Sequence, residues 1–118
     1  MDPRHAYRAK IVQNLYSYSY NLNKKALPHR DEKTLKIVAD LKKIDELISK
    51  YAPKYPLDKI AKTDLAILRL STYELLIEKK EPQKVIINEA VELAKEFSGE
   101  KSFAFVNAVL GQILNNIE

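Results

Sequence analysis

Residues 57–77 carry apolar side chains on nearly every side of a helical wheel. A helix that is apolar all round must be covered by other helices, because no side of it suits water. We therefore expect this stretch to form the central helix of an all-helical domain, with other helices packed on opposite sides of it. A break is expected near residues 61–63, where Thr63 and Asp64 would cap a second helical segment.

Four more helices are predicted from apolar periodicity and from local start and stop signals. Asp2 and Pro3 start the first helix. An Asp side chain accepts hydrogen bonds from the free backbone amides there, and the amide hydrogen that proline lacks would have no partner within the helix at that position. Pro53 stops the second helix, and Ser98 with Gly99 stops the helix that follows the central one. The predicted ranges are 3–20, 31–51, 82–97 and 101–117.

Apolar residues in the first predicted helix recur at spacings of three and four, which is the pattern of one buried stripe. Its members are Tyr7, Ile11, Leu15, Tyr18 and Leu22. Arg4 and Arg8 lie one turn apart beside this stripe, so they are expected to project beyond the end of the bundle. No segment has the pattern of a β-strand, and the predicted fold is all-α with about five helices.

The chain has 118 residues, which is near the usual size of one domain, and residues 1–118 are expected to form a single one. It has no cysteine, so disulfides, thiolate metal sites and cysteine nucleophiles are excluded. The amino-terminal residues include no apolar segment of signal-peptide length, and no run approaches the roughly 18 apolar residues of a membrane span. We therefore expect a soluble, cytoplasmic protein that does not bind a membrane.

No arrangement of residues in the sequence predicts an enzyme. His5 and His29 have no cysteine and no carboxylate at metal-ligand spacing, so no metal site is expected. Glycine occurs only at Gly99 and Gly111, which excludes a glycine-rich phosphate loop. Carboxylates on amphipathic helices are usually solvated or paired, so the glutamates are not expected to catalyse a reaction. Neither catalysis nor a cofactor is predicted.

Polar residues inside otherwise apolar runs are expected to hold the later helices together. They are Arg69, Glu74, Asn88, Glu89 and Asn107. A buried polar side chain needs a hydrogen-bonding partner, and a buried charge needs an opposite charge. We expect these residues to pair with one another or with helix ends, rather than to touch a ligand.

Basic residues gather near the amino-terminal end of the first predicted helix. The net charge of +4 permits a nucleic acid as partner without requiring one. Basic side chains would hold phosphates, and an aromatic ring would stack on an unpaired base. The residues of this cluster are Arg4, His5, Tyr7, Arg8, Lys10 and Tyr16. The alternative is that the charged helix end is only solvated.

Six runs of the sequence carry a resemblance to a known family. They are IVQNLY at 11–16, IDELI at 44–48, ILRL at 67–70, YELL at 73–76, VIINEAVELAK at 85–95 and FVNAVL at 105–110. In this order the sequence resembles the bacterial transcription antitermination factor NusB family over nearly its whole length. The resemblance implies a compact fold of two small perpendicular helix bundles that share a helix, with no enzymatic activity.

The resemblance also implies partners. Members of the family act with NusE, a small-subunit ribosomal protein with a second role in transcription, and bind the boxA element of nascent RNA. The heterodimer joins the RNA polymerase antitermination complex and keeps transcription of ribosomal RNA operons from ending early. We therefore expect an RNA-binding antitermination factor. The alternative is a protein-only helical adaptor or homodimer with weakened RNA binding.

The residues expected to bind RNA are Arg4, His5, Arg8, Lys10, Tyr16, Lys101 and Phe105. Lys101 stands at the predicted start of the last helix, where free backbone amides and the positive dipole end would help to hold one RNA phosphate. Phe105 lies one turn further on and would contact a base. The resemblance makes Asp64 the residue expected to bind NusE, by pairing with a basic residue of that partner.

The sequence departs from the family pattern in three places. Its start has fewer arginines than is usual, which implies lower RNA affinity there. The segment between Tyr20 and Leu35 is shorter than in a typical member by roughly a helix, which implies a reduced amino-terminal bundle. Lys101 stands where an acidic residue is common, and its positive charge would partly compensate for the missing arginines.

Overall fold

Six α-helices account for most of residues 2–117, the part of the chain that the computed structural model describes. They are α1 (Pro3–Asn21), α2 (Glu32–Ala39), α3 (Leu41–Tyr51), α4 (Lys62–Thr72), α5 (Gln83–Phe97) and α6 (Glu100–Asn116). No strand occurs in this described part, and the all-α prediction is confirmed. None of these helices is both long enough and apolar enough to cross a membrane.

Local signals set both ends of α1. Asp2 Oδ1 accepts a hydrogen bond from the backbone amide of Arg4 at 2.9 Å, and Pro3 occupies the first helical position. At the other end Leu22 adopts a left-handed conformation with φ 53°, and its amide donates to the carbonyl of Tyr18 at 2.9 Å. The predicted start of this helix is therefore confirmed, and its end lies one residue beyond the predicted one.

The buried stripe of α1 is narrower than predicted. Ile11 and Leu15 are buried, but Tyr7 and Leu22 are 41% and 69% exposed, so the prediction that these two are buried is wrong. Leu22 lies beyond the last helical residue. Tyr7 turns towards the start of α2, where its hydroxyl donates to Asp31 Oδ1 at 2.6 Å.

The prediction of one helix over residues 31–51 is wrong, because the chain bends at Asp40 and forms α2 and α3. Asp40 has φ −98° and ψ 12°, and its amide donates to the carbonyls of Lys36 and Ile37, both at 3.1 Å. The bend has a tertiary cause: α2 packs against α1, whereas α3 packs against α4 and α6. The apolar period continues through the bend, from Ile37 to Ile44, so the sequence alone predicts a single helix.

As predicted, α4 is the central helix, and it contacts α1, α3, α5 and α6. Its buried apolar residues are Leu65, Ala66, Ile67, Leu68 and Leu70. The predicted break is also confirmed, since a short 3₁₀ turn at Leu57–Lys59 precedes the helix. Thr63 and Asp64 do not cap α4, however, because the cap is Ala61, which makes no side-chain hydrogen bond. Asp64 lies in the first turn, where the helix dipole favours an acidic side chain.

A π-helical turn, Tyr73–Glu78, continues α4. The amide of Lys79 donates to the carbonyl of Glu74 at 2.9 Å, and Lys79 ends the segment in a left-handed conformation with φ 54°. Such turns are rare and often occur at functional positions. The turn carries Glu74, a buried carboxylate that binds side chains from α1 and α2.

The predicted stop between α5 and α6 is confirmed. The amides of Ser98 and Gly99 both donate to the carbonyl of Ala94, at 2.9 and 3.0 Å. Gly99 has φ 106°, a backbone conformation that strains residues with a Cβ atom, so glycine is favoured here. The short turn makes α5 and α6 neighbours, and their buried apolar faces complete the core around α4.

Candidate nucleic-acid interface

The sequence predicts one RNA-binding cluster on α1, but the structure places its members on different sides of the helix. Successive residues of an α-helix turn by about 100°, so Tyr16 lies about 20° from His5 but about 120° from Lys10 and from Arg4. Lys10 is exposed. Arg4 is also exposed and lies 3.5 Å from Glu81 Oε1. His5 and Tyr16 therefore share a side of α1, and the two exposed cations do not.

Arg8 is buried, so the prediction that it projects beyond the bundle is wrong. It is 5% exposed, and its Nε donates to both oxygens of Glu74, at 3.1 and 3.2 Å. Its Nη1 donates to Glu89 at 3.2 Å, and Lys33 donates to Glu74 at 2.7 Å. Burial is the largest single influence on the pKa of Arg8 and lowers it, but the hydrogen bonds and negative charges of Glu74 and Glu89 together outweigh burial, so the pKa is raised. The guanidinium is a fixed internal charge that joins α1 to α5 and to the π-helical turn.

His5 joins α1 to α5. Its Nε2 lies 2.6 Å from Glu96 Oε2, and its Nδ1 lies 3.3 Å from Glu89 Oε2. The hydrogen bond with Glu96 raises the pKa of His5 above its ordinary value, against the effect of burial, and the contact with Glu89 adds to the rise. His5 is therefore protonated more readily than a free histidine, but two carboxylates neutralise that charge.

An apolar cleft opens where α1 meets the start of α4 and the end of α5. Its lining residues are Val12, Gln13, Tyr16, Thr63 and Phe97, and we call it the aromatic cleft. Tyr16 is 40% exposed. The cleft measures about 170 Å³, below the roughly 300 Å³ at which small-molecule pockets begin. It therefore suits one flat ring better than a whole small molecule.

A second exposed tyrosine and a lysine lie beside the aromatic cleft. The rings of Tyr16 and Tyr20 meet edge to face with their centroids 5.1 Å apart, and Tyr20 is 62% exposed. Lys62 Nζ lies 5.2 Å from the centroid of the Tyr20 ring. Exposed rings beside a cation are typical of surfaces that bind single-stranded nucleic acids, because rings stack on bases and the cation attracts phosphate.

The first turn of α6 is hydrogen-bonded to the first turn of α4. Ser102 Oγ donates to Asp64 Oδ2 at 3.3 Å. Asp64 is only 6% exposed, and its Oδ1 has no hydrogen-bond partner among residues 2–117. The carboxylate is therefore enclosed between two helices, rather than displayed on the surface.

Lys101 and Phe105 differ in how far they reach the surface. Lys101 is exposed in the first turn of α6, next to Ser102. Phe105 is half-buried against the core, and its ring meets that of Tyr55 edge to face with 5.5 Å between the centroids. A phosphate can therefore approach Lys101 directly, whereas Phe105 offers only part of its ring.

Three of the five polar residues that were expected to hold helices together do so, but their partners lie outside this set, so the prediction that they pair with one another is wrong. They are Arg69, Glu74 and Glu89. Arg69 donates to both oxygens of Asp45, at 2.9 Å each, and so joins α4 to α3. Asn88 and Asn107 are exposed, so the prediction is wrong for these two.

Sequence analysis missed six residues in or beside the aromatic cleft. They are Val12, Gln13, Tyr20, Lys62, Thr63 and Phe97. Gln13 and Tyr20 lie three and four residues from Tyr16, so helical spacing was a usable signal for them. Lys62 and Phe97 come from other helices, and only the packing of the fold brings them close to Tyr16.

Comparison with known proteins identifies the family. The sequence matches the profile of the NusB family over residues 5–115. The chain belongs to the NusB family. The transcription antitermination protein NusB of Clostridium tetani is 52% identical over 81 residues, which cover 68% of this chain and 53% of that protein. NusB of Natranaerobius thermophilus is 44% identical over 79 residues, covering 67% of this chain and 57% of that one. The chain thus spans about half the length of the curated relatives it matches.

Solved NusB structures share the fold. NusB of T. maritima superimposes with a TM-score of 0.76 at 30% identity, covering 98% of this chain and 92% of that chain. A chain from a complex of antitermination factors NusB and NusE with double-stranded RNA gives a TM-score of 0.78 at 24% identity, covering 97% of both chains. The second likeness concerns the fold alone. Both superpositions agree with the fold that the sequence resemblance implies.

Proposed function

We propose that this protein is a transcription antitermination factor that binds boxA RNA together with NusE and promotes processive transcription of ribosomal RNA operons. Its relatives are named transcription antitermination protein NusB, and a protein of similar fold was solved with NusE and RNA. In this proposal the protein works in the cytoplasm as part of the RNA polymerase antitermination complex. It acts by binding, without catalysis and without a cofactor.

The observation that carries RNA binding is the aromatic cleft. Tyr16 exposes its ring beside Phe97 in a space that suits one base. Lys62 supplies positive charge beside the ring of Tyr20, which meets the ring of Tyr16 edge to face. Stacking on an aromatic ring together with attraction of the backbone is how single strands are bound without a duplex.

The other candidate residues would contribute in two ways. Exposed cations would hold phosphates, and Phe105 would touch a base with the exposed part of its ring. The cations are Arg4, Lys10, Lys62 and Lys101. Arg8 and His5 would act indirectly, because their contacts with Glu89 hold α1 against α5 and so keep the two sides of the cleft together.

Replacing Tyr16 tests this assignment. We expect Tyr16→Leu to weaken binding of single-stranded boxA RNA by about tenfold, because one stacked base contributes on that order. Tyr7→Leu is a matched control, since Tyr7 is 41% exposed against 40% for Tyr16 but faces α2. Fluorescence anisotropy titrations with and without NusE measure both variants. Equal affinities for parent and Tyr16→Leu would remove Tyr16 from the RNA site.

We further propose that NusE docks where α4 meets α6, at Asp64. The support is that Asp64 is a buried carboxylate with only one of its oxygens hydrogen-bonded among residues 2–117. A buried charge is costly unless it is fully paired. A basic side chain of NusE entering between the two helices would complete the pairing.

The variant Asp64→Asn separates this role from a structural one, because asparagine keeps the shape and still accepts from Ser102. We expect it to weaken NusE binding by about tenfold, the order of a hydrogen bond to a charged group. Asp58→Asn is the control, since it removes the same charge from an exposed position just before α4. Calorimetric titration and a melting curve are the measurements. Unchanged NusE affinity with a lower melting temperature would make Asp64 purely structural.

The pairing of Arg8 and His5 with glutamates favours a second candidate function, a protein-only helical adaptor or homodimer with weakened RNA binding. This candidate predicts binding of NusE, or self-association, without affinity for boxA RNA. The RNA titration with NusE distinguishes the two functions. Sedimentation equilibrium of the protein alone then separates an adaptor from a homodimer.

A further inference from the structure

The connection between α1 and α2 carries exposed cations that form no ion pair within residues 2–117. We call residues 22–31 the basic loop, and its basic side chains are Lys24, Lys25, His29 and Arg30. The two lysines and Arg30 are exposed, and none of them forms an ion pair within residues 2–117. On α1 itself, Arg8 is neutralised by glutamates. Positive charge available to a polyanion is therefore present on the basic loop, away from the helix start.

Hydrogen bonds within the basic loop define its shape. Asn21 Oδ1 accepts from the amide of Asn23 at 3.1 Å, and Asn23 Oδ1 accepts from the amide of Lys25 at 2.9 Å. The second bond caps a 3₁₀ turn at Lys24–Ala26. The two lysine side chains therefore extend from a turn whose backbone conformation is already defined. This reduces the conformational entropy lost when they bind a ligand.

Two contacts hold the basic loop beside the aromatic cleft. Asn14 is fully buried; its Oδ1 accepts from the amide of His29 at 2.9 Å, and its Nδ2 donates to Thr34 Oγ1 at 3.0 Å. The His29 ring is hydrogen-bonded to the side chain of Gln13, which lines the aromatic cleft. The loop and the cleft are thus joined through adjacent residues of α1.

A surface groove runs along the basic loop. Its lining residues are Lys24, Lys25, Leu27, His29, Arg30, Asp31 and Leu35. The Asp31 carboxylate is already hydrogen-bonded to Tyr7 and Thr34, so the cations in the lining outnumber the one acidic group. Leu35 is 43% exposed, so the groove combines positive charge with an apolar floor. A single strand of nucleic acid offers the complementary chemistry, because phosphates line its backbone and each base has an apolar face.

We propose that an RNA strand bound in the aromatic cleft continues across Gln13 and His29 into this groove, where the cations of the basic loop hold its phosphates. The inference rests on the proposed RNA-binding function and extends the site to a segment that the sequence did not assign to RNA. It also accounts for how a member with few arginines at its start obtains phosphate contacts. These contacts belong to nucleotides beyond the one stacked on Tyr16.

RNA length provides the test. Anisotropy titrations use a short single-stranded RNA of boxA alone and two versions extended by about six nucleotides, one at each end. We expect the parent to bind one extended RNA more tightly than the short one. Each phosphate contact on a single strand steepens the plot of log affinity against log salt concentration by about 0.7. Two lysine contacts should therefore make the affinity ratio of extended to short RNA fall about sevenfold between about 50 and 200 mM salt. The double variant Lys24→Gln, Lys25→Gln should lose the gain and keep the parent's affinity for the short RNA.

The matched control is Lys42→Gln, Lys43→Gln, which removes the same charge from exposed positions on α3 and should keep the length gain. The inference is overturned if the parent binds short and extended RNAs equally, or if the loop variant loses affinity for both RNAs by the same factor. Either result leaves the proposed function intact. Failure of the parent to bind any of the RNAs, with or without NusE, would instead overturn the proposed function and the inference together.

Discussion

Two neighbouring cations of α1 have opposite environments. Lys10 is exposed, whereas Arg8 is buried between Glu74 and Glu89. Removing one member of a buried ion pair usually costs about 3–5 kcal/mol, because the remaining charge stays buried without a partner. Arg8 therefore stabilises the packing of α1 on the rest of the fold, although its place in the sequence resembles that of a surface residue.

His5 should make stability depend on pH. Its pKa is raised above the ordinary 6.5, chiefly by Glu96, so the folded protein keeps a proton that the unfolded chain releases as pH rises. The groups that face it are Glu89 and Glu96 on α5, and Arg8 on α1 shares Glu89. The stabilisation is complete below pH 6.5 and is lost as pH rises through the folded pKa.

The measurement is the urea midpoint of the parent and of His5→Gln across about pH 5.5 to 8.5, a range that brackets the ordinary pKa of histidine. We expect the parent's midpoint to fall as pH rises and the variant to show a flatter profile. Glu96→Gln removes the largest cause of the raised pKa, so its decline should begin at lower pH. Parallel profiles for parent and His5→Gln would contradict this account.

At the scale of elements, α2 depends on its cap and α3 does not. Asp31 Oδ2 accepts from the amide and hydroxyl of Thr34, at 2.7 and 2.8 Å, whereas Asp40 makes no capping bond with its side chain at the start of α3. We expect Asp31→Ala to lower the free energy of unfolding by about 1–2 kcal/mol. Asp40→Ala should change it by less than about 0.5 kcal/mol. Urea denaturation compares the two variants, and equal losses would show that the cap of α2 is not what stabilises it.

Helix ends that are set by adjacent residues could be predicted from the sequence, and those set by packing could not. The start at Asp2 and Pro3 and the stop at Gly99 depend on a few neighbouring side chains. The bend at Asp40 depends on α1, α4 and α6, and the apolar period does not change there. The π-helical turn after Thr72 likewise follows an apolar pattern that an ordinary helix also satisfies.

The candidate site also combines features set by adjacent residues with features set by the packing of distant segments. The exposure of Tyr16 could be predicted because it depends on the face of its own helix. Lys62 approaches Tyr20, the neighbour of Tyr16, only because α1 packs on α4. The burial of Arg8 could not be predicted, since its partners Glu74 and Glu89 are 66 and 81 residues away along the chain.

For the molecule as a whole, the start of α4 lies between the two proposed binding surfaces. Thr63 lines the aromatic cleft, and Asp64, the next residue, faces α6 and the proposed NusE site. Ser102 connects Asp64 to the turn that carries Lys101. A ligand that shifts the first turn of α4 or α6 therefore acts on groups at both surfaces.

This arrangement predicts that NusE and RNA bind cooperatively and that Ser102 carries part of the coupling. Saturating NusE should tighten RNA binding by a factor of about 5 or more, and by linkage RNA should tighten NusE binding by the same factor. In Ser102→Ala the hydrogen bond to Asp64 is lost, so we expect the factor to move towards one while each separate affinity changes little. Ser49→Ala, at an exposed position of α3, is the control and should keep the parent's factor. Each protein is titrated four times, with RNA and with NusE, each alone and at saturation of the other ligand, which gives the complete thermodynamic cycle. An unchanged coupling factor in Ser102→Ala would mean that the coupling does not pass between α4 and α6 through this hydrogen bond.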